Sequence, residues 1–232
     1  MKLKSVFLIF SILIVAGCNQ KVNNQSQTTS DFMKVNFKTS DNINIVGNFY
    51  DSKSSKNIIL LHMFSKTKES WGNFPNELKK NGFNVLAIDL RGHGESDLDY
   101  NSFTDKDFNS IVKDVEAAVS YMKNKNNGKI YLIGASIGAN TVLNYAVQFK
   151  ADKVVLLSPG LNFKGIKTDA SKLNTQVLFV TSKDDTYSYQ STQKLYEQSK
   201  GKKELKVYDN AGHGINMFSQ KDLSPYIINW LI

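Results

Sequence analysis

Cysteine is nearly absent from this chain, with one residue, Cys18, in 232. A disulfide within the chain is therefore excluded, and with three histidines the usual Cys/His structural zinc site has too few ligands. Proline is scarce, at three residues, which rules out collagen-like or polyproline architecture. Arginine is rarer still: lysine and arginine number 29 against 21 acids, yet the sole arginine is Arg91. Nucleic-acid binders draw on arginine for bidentate phosphate and guanine contacts. The formal charge of +8 is thus read as a mildly basic, lysine-rich surface, with no nucleic-acid partner. What remains is ordinary globular composition, 41% hydrophobic and 22% charged, at a length that suits one domain.

The amino terminus reads as an address. Met1-Lys2-Leu3-Lys4 is a short basic stretch, and Ser5 to Ala16 is an apolar run of twelve residues. Crossing a bilayer takes about 20 residues, whereas the hydrophobic region of a secretory signal is this short. The run ends in Val15-Ala16-Gly17-Cys18, which resembles the lipobox of bacterial lipoproteins. The resemblance implies cleavage before Cys18, acylation of that cysteine, and anchoring of the mature chain to a membrane of the bacterial cell envelope. Two or three acyl chains on one cysteine satisfy the two-chain requirement for stable anchoring. Asn19 to Ser30 is almost wholly polar and reads as a tether with a typical span of about 20 Å. The expected organisation is a signal over 1–17, the lipidated cysteine and tether over 18–31, and one folded body over 32–232.

The body alternates strand and helix patterns. Phe32 to Thr39 and Ile43 to Tyr50 read as a hairpin around Ser40-Asp41-Asn42. Asn57 to His62 and Phe83 to Asp89 carry the apolar runs of strands buried in a parallel sheet, and Lys129 to Ile133, Lys153 to Leu157, Gln176 to Thr181 and Glu204 to Asp209 read as further strands. Between them, helices are expected over Trp71 to Lys80, Asp105 to Lys125, Ser136 to Phe149, Tyr189 to Lys200 and Leu223 to Leu231. Such alternation predicts an α/β domain with a mostly parallel central sheet.

Chemistry-bearing residues fall at strand ends. Gly134-Ala135-Ser136-Ile137-Gly138 matches G-x-S-x-G between an apolar strand and a helix, the context in which a sharp turn presents a serine hydroxyl above the sheet. A serine needs a base, and the chain has three histidines, His62, His93 and His213, the last in Asn210-Ala211-Gly212-His213-Gly214.

Four segments together resemble the α/β-hydrolase family over nearly everything from residue 32 onward. They are Leu60-Leu61-His62-Met63-Phe64, with Met63 where the family often has glycine; Asp89-Leu90-Arg91-Gly92-His93-Gly94-Glu95-Ser96; the Gly134–Gly138 elbow; and the His213 loop. The resemblance implies the α/β-hydrolase fold, a mostly parallel sheet of about eight strands flanked by helices. It also implies a Ser136, Asp185, His213 triad, with Asp184 as the alternative acid. The oxyanion donors would be the N–H groups of Ile137 and Phe64. His62, His93 and Arg91 read as structural parts of their turns. Only Ser158 to Thr175 separates the sixth strand from the acid strand, too little for a multi-element helical cap, so an open site is expected.

The expected function is a serine hydrolase cleaving a carboxylic ester or related acyl bond, without metal or organic cofactor, on a small-molecule or acyl substrate. The alternatives are a serine peptidase or thioesterase on the same triad, or a non-catalytic binding lipoprotein. Metabolic labelling with a fatty-acid analogue checks the anchor. The wild-type chain should take up label and Cys18→Ala should not, and equal labelling of both would overturn the lipobox reading.

Overall fold

The computed structural model describes residues 31–232. The expected signal, Cys18 and all but the last residue of the expected tether lie outside the described residues. The hairpin forms as β1 (Met33–Lys38) and β2 (Asn44–Tyr50), turning at Asn42, whose φ is 67°. The buried runs become β3 (Lys56–Leu61), β4 (Asn84–Ile88), β5 (Lys129–Ala135) and β6 (Lys153–Leu157). After a two-residue hairpin of β7 (Asn162–Phe163) and β8 (Ile166–Lys167) come β9 (Gln176–Ser182) and β10 (Lys203–Tyr208). The helices are α1 (Phe74–Lys80), α2 (Asp105–Asn109), α3 (Val112–Lys125), α4 (Ile137–Gln148), α5 (Thr186–Gln198) and α6 (Leu223–Leu231).

Eight strands form one sheet in the order β1-β2-β4-β3-β5-β6-β9-β10. β1–β2 and β2–β4 are antiparallel and the remaining pairs parallel. Alternation along each strand divides the core in two. Ile59, Leu61, Leu86 and Ile88 pack with Ile111, Val115 and Met122 of the α3 side and Val142 and Leu143 of α4. Ile58, Leu60, Val85 and Ala87 pack with Phe74 and Leu78 of α1 and Ile227 and Leu231 of α6. Each such side chain contributes about 1.5–3 kcal/mol when fully buried. Residues 31–232 form one compact unit built around these two clusters. Among the described residues no helix is long and apolar enough to cross a membrane.

One expected helix is two. The pattern over Asp105 to Lys125 is interrupted at Ser110 and Ile111. There the Ser110 hydroxyl bonds back to Lys106 O at 2.9 Å, and Ile111 N, Lys113 N and Asp114 N take carbonyls three residues back. This 3₁₀-like step keeps Phe108, Ile111 and Val115 facing the core on both sides of the break. The stretch expected to be irregular after Pro159 contains the β7–β8 hairpin, turned at Lys164 and Gly165 with φ of 51° and 76°. Two positive φ angles in a two-residue loop match the right-handed twist of the flanking strands.

The loop after β4 is held by ion pairs. Arg91 donates from Nε to Asp114 Oδ1 at 2.8 Å and from its terminal nitrogens to both Asp41 oxygens at 2.8 and 3.0 Å. The β1–β2 turn is thereby tied to α3. Buried Lys68 reaches Asp89 Oδ2 at 2.6 Å, and Asp89 also accepts Lys68 N–H and Glu95 N–H at 2.8 and 2.9 Å. These contacts give Arg91 and Asp89 structural work within the Asp89–Ser96 loop.

Asp41 is held well below the ordinary carboxylate range, first by the Arg91 hydrogen bonds, with Thr39 and Lys113 adding to them against the cost of burial. A depressed carboxyl contributes stability that is fully present above the unfolded pKa, near 4, and is lost as pH falls through the folded value. Asp41→Asn should therefore cost about 2 kcal/mol at pH 7 in urea melts. That difference should shrink progressively below about pH 4, whereas a pH-independent difference would contradict the account.

Candidate active site

The chain leaves β3 for β4 on one side and reaches β5 on the other, which makes the carboxyl end of β3 a topological switch point. Leu61 pairs with Ile88 on one flank and Gly134 on the other. The turn His62-Met63-Phe64 therefore emerges beside Ala135-Ser136-Ile137.

Ser136 is the N-cap residue of α4 and has φ 54° and ψ −118°, a strained left-handed position for a residue with a side chain. Its amide is pinned to Leu157 O at 2.9 Å, at the end of β6. The flanking glycines are sterically required. A Cβ at Gly134 would lie 2.3 Å from Gly138 O, and one at Gly138 would lie 2.4 Å from Leu61 O. The missing side chains let the start of α4 press against the end of β3, where its unpaired amides and positive dipole end face the turn containing Phe64. Among the described residues neither Ile137 N nor Phe64 N has a hydrogen-bond acceptor within the fold, so both are free to donate outward.

The histidine and an acid meet across the end of β9. His213 Nδ1 lies 2.5 Å from Asp185 Oδ2. Asp185 stands at the N-cap of α5, but its carboxylate does not cap the helix; it turns to His213. Asp184 points elsewhere: it bonds the Ser182 hydroxyl and accepts Gly212 N–H at 3.1 Å, bracing the histidine loop. Burial works to raise the Asp185 pKa, but hydrogen bonds from His213 and Ser188, the His213 charge and a bond from Ser158 outweigh it and hold the group below its ordinary value. A carboxylate held ionised at this distance can accept a proton borne on Nδ1 and orient the ring with Nε2 outward. The His213 side chain remains 39% exposed and can meet a substrate, while that of Asp185 is 16% exposed.

Ser136 Oγ makes no hydrogen bond to His213 among the described residues, and catalytic contacts are often open before substrate binds. The two loops are nevertheless adjacent. A Cβ on Gly214 would lie 3.6 Å from Ala135 Cβ, and Gly214 N donates to Ser158 Oγ at 2.9 Å. Met63 closes the junction from the β3 side, its sulfur accepting Ile215 N–H at 3.2 Å and filling the space over Gly214. The residue with a left-handed backbone in this turn is Ser65, φ 55°, so Met63 carries no such demand.

Three serines complete the arrangement, and sequence reading did not single them out as functional. Ser158, buried with φ 50°, accepts Gly214 N–H through its hydroxyl. Ser188 Oγ lies 3.3 Å from His213 Nδ1. Ser182 accepts Ala211 N–H at 2.8 Å. Ser158 sits directly after a buried strand and Ser188 three residues beyond Asp185, which are the only signals the sequence offers for them.

His62 and His93 serve the turns. His62 is fully buried, donates from Nδ1 to Met63 O at 2.7 Å and accepts Leu90 N–H at 3.0 Å, and burial drives its pKa down to about 3. His93 donates to Arg91 O at 3.0 Å and stacks on Tyr100, its pKa also lowered by burial. The Phe64 ring meets His93, Tyr100, Phe108 and Phe163 edge-on, forming an aromatic wall beside its amide, with Lys164 Nζ 5.2 Å from the ring centre.

The fold is the α/β-hydrolase fold. The family model described as "Serine aminopeptidase, S33" matches residues 52–165, a span that includes the elbow and the β3 turn and ends before Asp185 and His213. Among curated proteins, the chain is 31% identical over 104 residues to AB hydrolase superfamily protein YisY of Bacillus subtilis, covering 44% of this chain and 37% of that one. It is 30% identical over 180 residues to the uncharacterized protein YqkD of the same organism, covering 58% and 57%. The chain thus spans little more than half, or less, of these relatives' length. Among solved structures, the Pyrococcus furiosus esterase Pf2001 superposes with a TM-score of 0.75 at 23% identity over 86% of this chain and 89% of that one. The esterase EaEST from Exiguobacterium antarcticum gives a TM-score of 0.72 at 14% identity, over 86% and 99%.

Proton NMR reads the Asp185–His213 couple directly. A low-field imidazole N–H resonance should be present in the wild type and in Asp184→Asn and absent in Asp185→Asn. Loss in Asp184→Asn with retention in Asp185→Asn would reverse the assignment of the two carboxylates.

Proposed function

We propose that this chain is a membrane-anchored serine hydrolase of the bacterial cell envelope, cleaving a carboxylic ester or similar acyl bond. The observation that carries the reading is the Asp185–His213 couple at 2.5 Å, beside a serine in left-handed backbone geometry at the switch point. In this reading Ser136 Oγ attacks the acyl carbon while His213 Nε2 takes its proton. Asp185 holds the Nδ1 tautomer and stabilises the imidazolium. The carbonyl oxygen, as it becomes an oxyanion, accepts from Ile137 N–H and Phe64 N–H at the positive end of α4. His213 then protonates the leaving alcohol, and water, activated by the same imidazole, releases the acid from Ser136.

The aminopeptidase name of the matching family favours a second reading, cleavage of an amide next to a free amino group. That substrate carries an ammonium, which calls for a carboxylate or an aromatic face free of other cations. The wall beside Phe64 offers aromatic rings and the Lys164 ammonium instead, which suits a neutral or anionic acyl group better. We therefore place the ester first.

A fluorophosphonate probe and a pair of chromogenic substrates test both readings. Ser136 should be the labelled residue, and Ser136→Ala should lower kcat on an activated ester by about 10³–10⁶ with an unchanged melt. An aminoacyl anilide turned over faster than any ester would favour the peptidase, and wild-type-like turnover by Ser136→Ala would remove the elbow from the mechanism.

A further inference from the structure

The parallel strands have two ends, and the candidate site uses one. At the other, where β3, β5 and β6 begin, lysine collects. Lys56 and Lys129 are register partners on the first rungs of β3 and β5. With Lys123 near the end of α3 and Lys150 after α4, they line a cleft of about 590 Å³ in which the only acid is Asp152. The Asp152 carboxylate is committed to Ile130 N–H at 2.8 Å. None of the four lysines has an ion-pair partner among the described residues. Their charge is felt nearby: burial, then Lys129 and Lys56, lower the pKa of Lys153 on the neighbouring strand.

Apolar side chains share this end. Of the five large hydrophobic residues exposed among the described residues, three lie here: Met33, Phe149 and Ile232. Met33 pairs with Phe49, next to Tyr50, which pairs with Val85 near the start of β4. Phe149 closes α4 just before β6 begins. Ile232 follows α6, whose last carbonyls, Trp230 O and Leu231 O, accept from Lys153 Nζ at 2.8 and 3.0 Å. The described body also begins here, since Asp31 O accepts from Lys79 Nζ at 3.0 Å, in the last turn of α1. The segment bearing Cys18 therefore joins the body at the lysine-rich end.

Ammonium groups without carboxylate partners and exposed apolar side chains at the same end of the sheet fit an anionic bilayer. Each lysine at such a surface adds roughly 1 kcal/mol of attraction, while lysine stems and an aromatic ring settle into the headgroup layer. A nucleic acid would leave Phe149, Met33 and Ile232 without use. We propose that the face around Lys56, Lys123, Lys129, Lys150 and Phe149 docks on an anionic lipid bilayer, so that the Ser136 end opens away from that membrane onto substrates dissolved in water. β5, at ~3.3 Å per residue, keeps the two ends about 20 Å apart. The orientation rests on the reading of Ser136 as nucleophile, while the docking face stands without it. Lipids of the anchoring bilayer are then out of reach, and the substrate class is a soluble acyl compound.

The chain from Asn19 onward separates this face from the acyl anchor, because it lacks Cys18 and keeps the whole compact unit Asp31–Ile232. It should co-sediment with vesicles of phosphatidylcholine and phosphatidylglycerol (7:3), not with pure phosphatidylcholine, and 0.5 M NaCl should release it. The triple variant Lys123→Glu, Lys129→Glu, Lys150→Glu should bind roughly 100-fold more weakly. The pair Lys183→Glu, Lys221→Glu at the opposite end should bind as the parent does. Vesicle-bound chain should hydrolyse a soluble activated ester at the rate of free chain and leave a bilayer-embedded ester intact. Equal binding to neutral vesicles, parent-like binding by the triple variant, or turnover of the soluble ester blocked on vesicles would overturn the proposal. Absence of any esterase activity without vesicles would instead count against the nucleophile. Failure of Cys18 to take up fatty-acid label would count against the anchor alone.

Discussion

How closely α4 can approach the carboxyl end of β3 sets the geometry of everything above it. A side chain at Gly138 would run into Leu61 O, and one at Gly134 into Gly138 O, both at backbone atoms that cannot swing aside. With glycine at both places, the first amides of α4 stand beside the His62–Phe64 turn, and Ser136 is forced into its left-handed bend. The strain at that residue, of order 1–3 kcal/mol, is offset by the core on either face of the sheet and by the Ser136 N–Leu157 O bond. The candidate oxyanion pocket is thus a packing consequence of two missing Cβ atoms.

The second half of the site is assembled differently, by polar contacts among loops. Ser158, directly after the strand that anchors the elbow, accepts the amide N–H of Gly214, and Asp185 meets His213 itself. Asp184 and Ser182 hold Gly212 and Ala211. His213 is therefore positioned by neighbours on both sides, and Met63 packs beneath the residue that follows it. Sheet packing fixes the serine, and hydrogen bonds through buried serines fix the imidazole relative to it.

Much of this was legible in the sequence. The strands of the main sheet were marked to within one or two residues, the central ones by short apolar runs, because burial on both faces leaves few other compositions, and the part-exposed edge strands β1 and β10 by the turn residues around them. The α2–α3 break was not legible, since Phe108, Ile111 and Val115 keep helical spacing through it. The β7–β8 hairpin is too short to show a period. The candidate nucleophile, base and acids could be named because their residue types are few or their motifs local. Ser158, Ser182 and Ser188 could not, because nothing sets them apart from other serines until tertiary contacts bring them to the histidine loop. The lysine-rich end was visible only as net charge, for its members come from β3, α3, β5 and the turn after α4 and meet only in the folded sheet.

The central claim is that Ser136 and His213 work as one unit brought together at this switch point. A double-mutant cycle on kcat for an activated ester tests it most directly. If the account holds, Ser136→Ala, His213→Ala and the combination all fall to about the same residual rate, because removing either member disables the unit. Losses that multiply in the double variant would contradict it, since two independent contributions would then be acting.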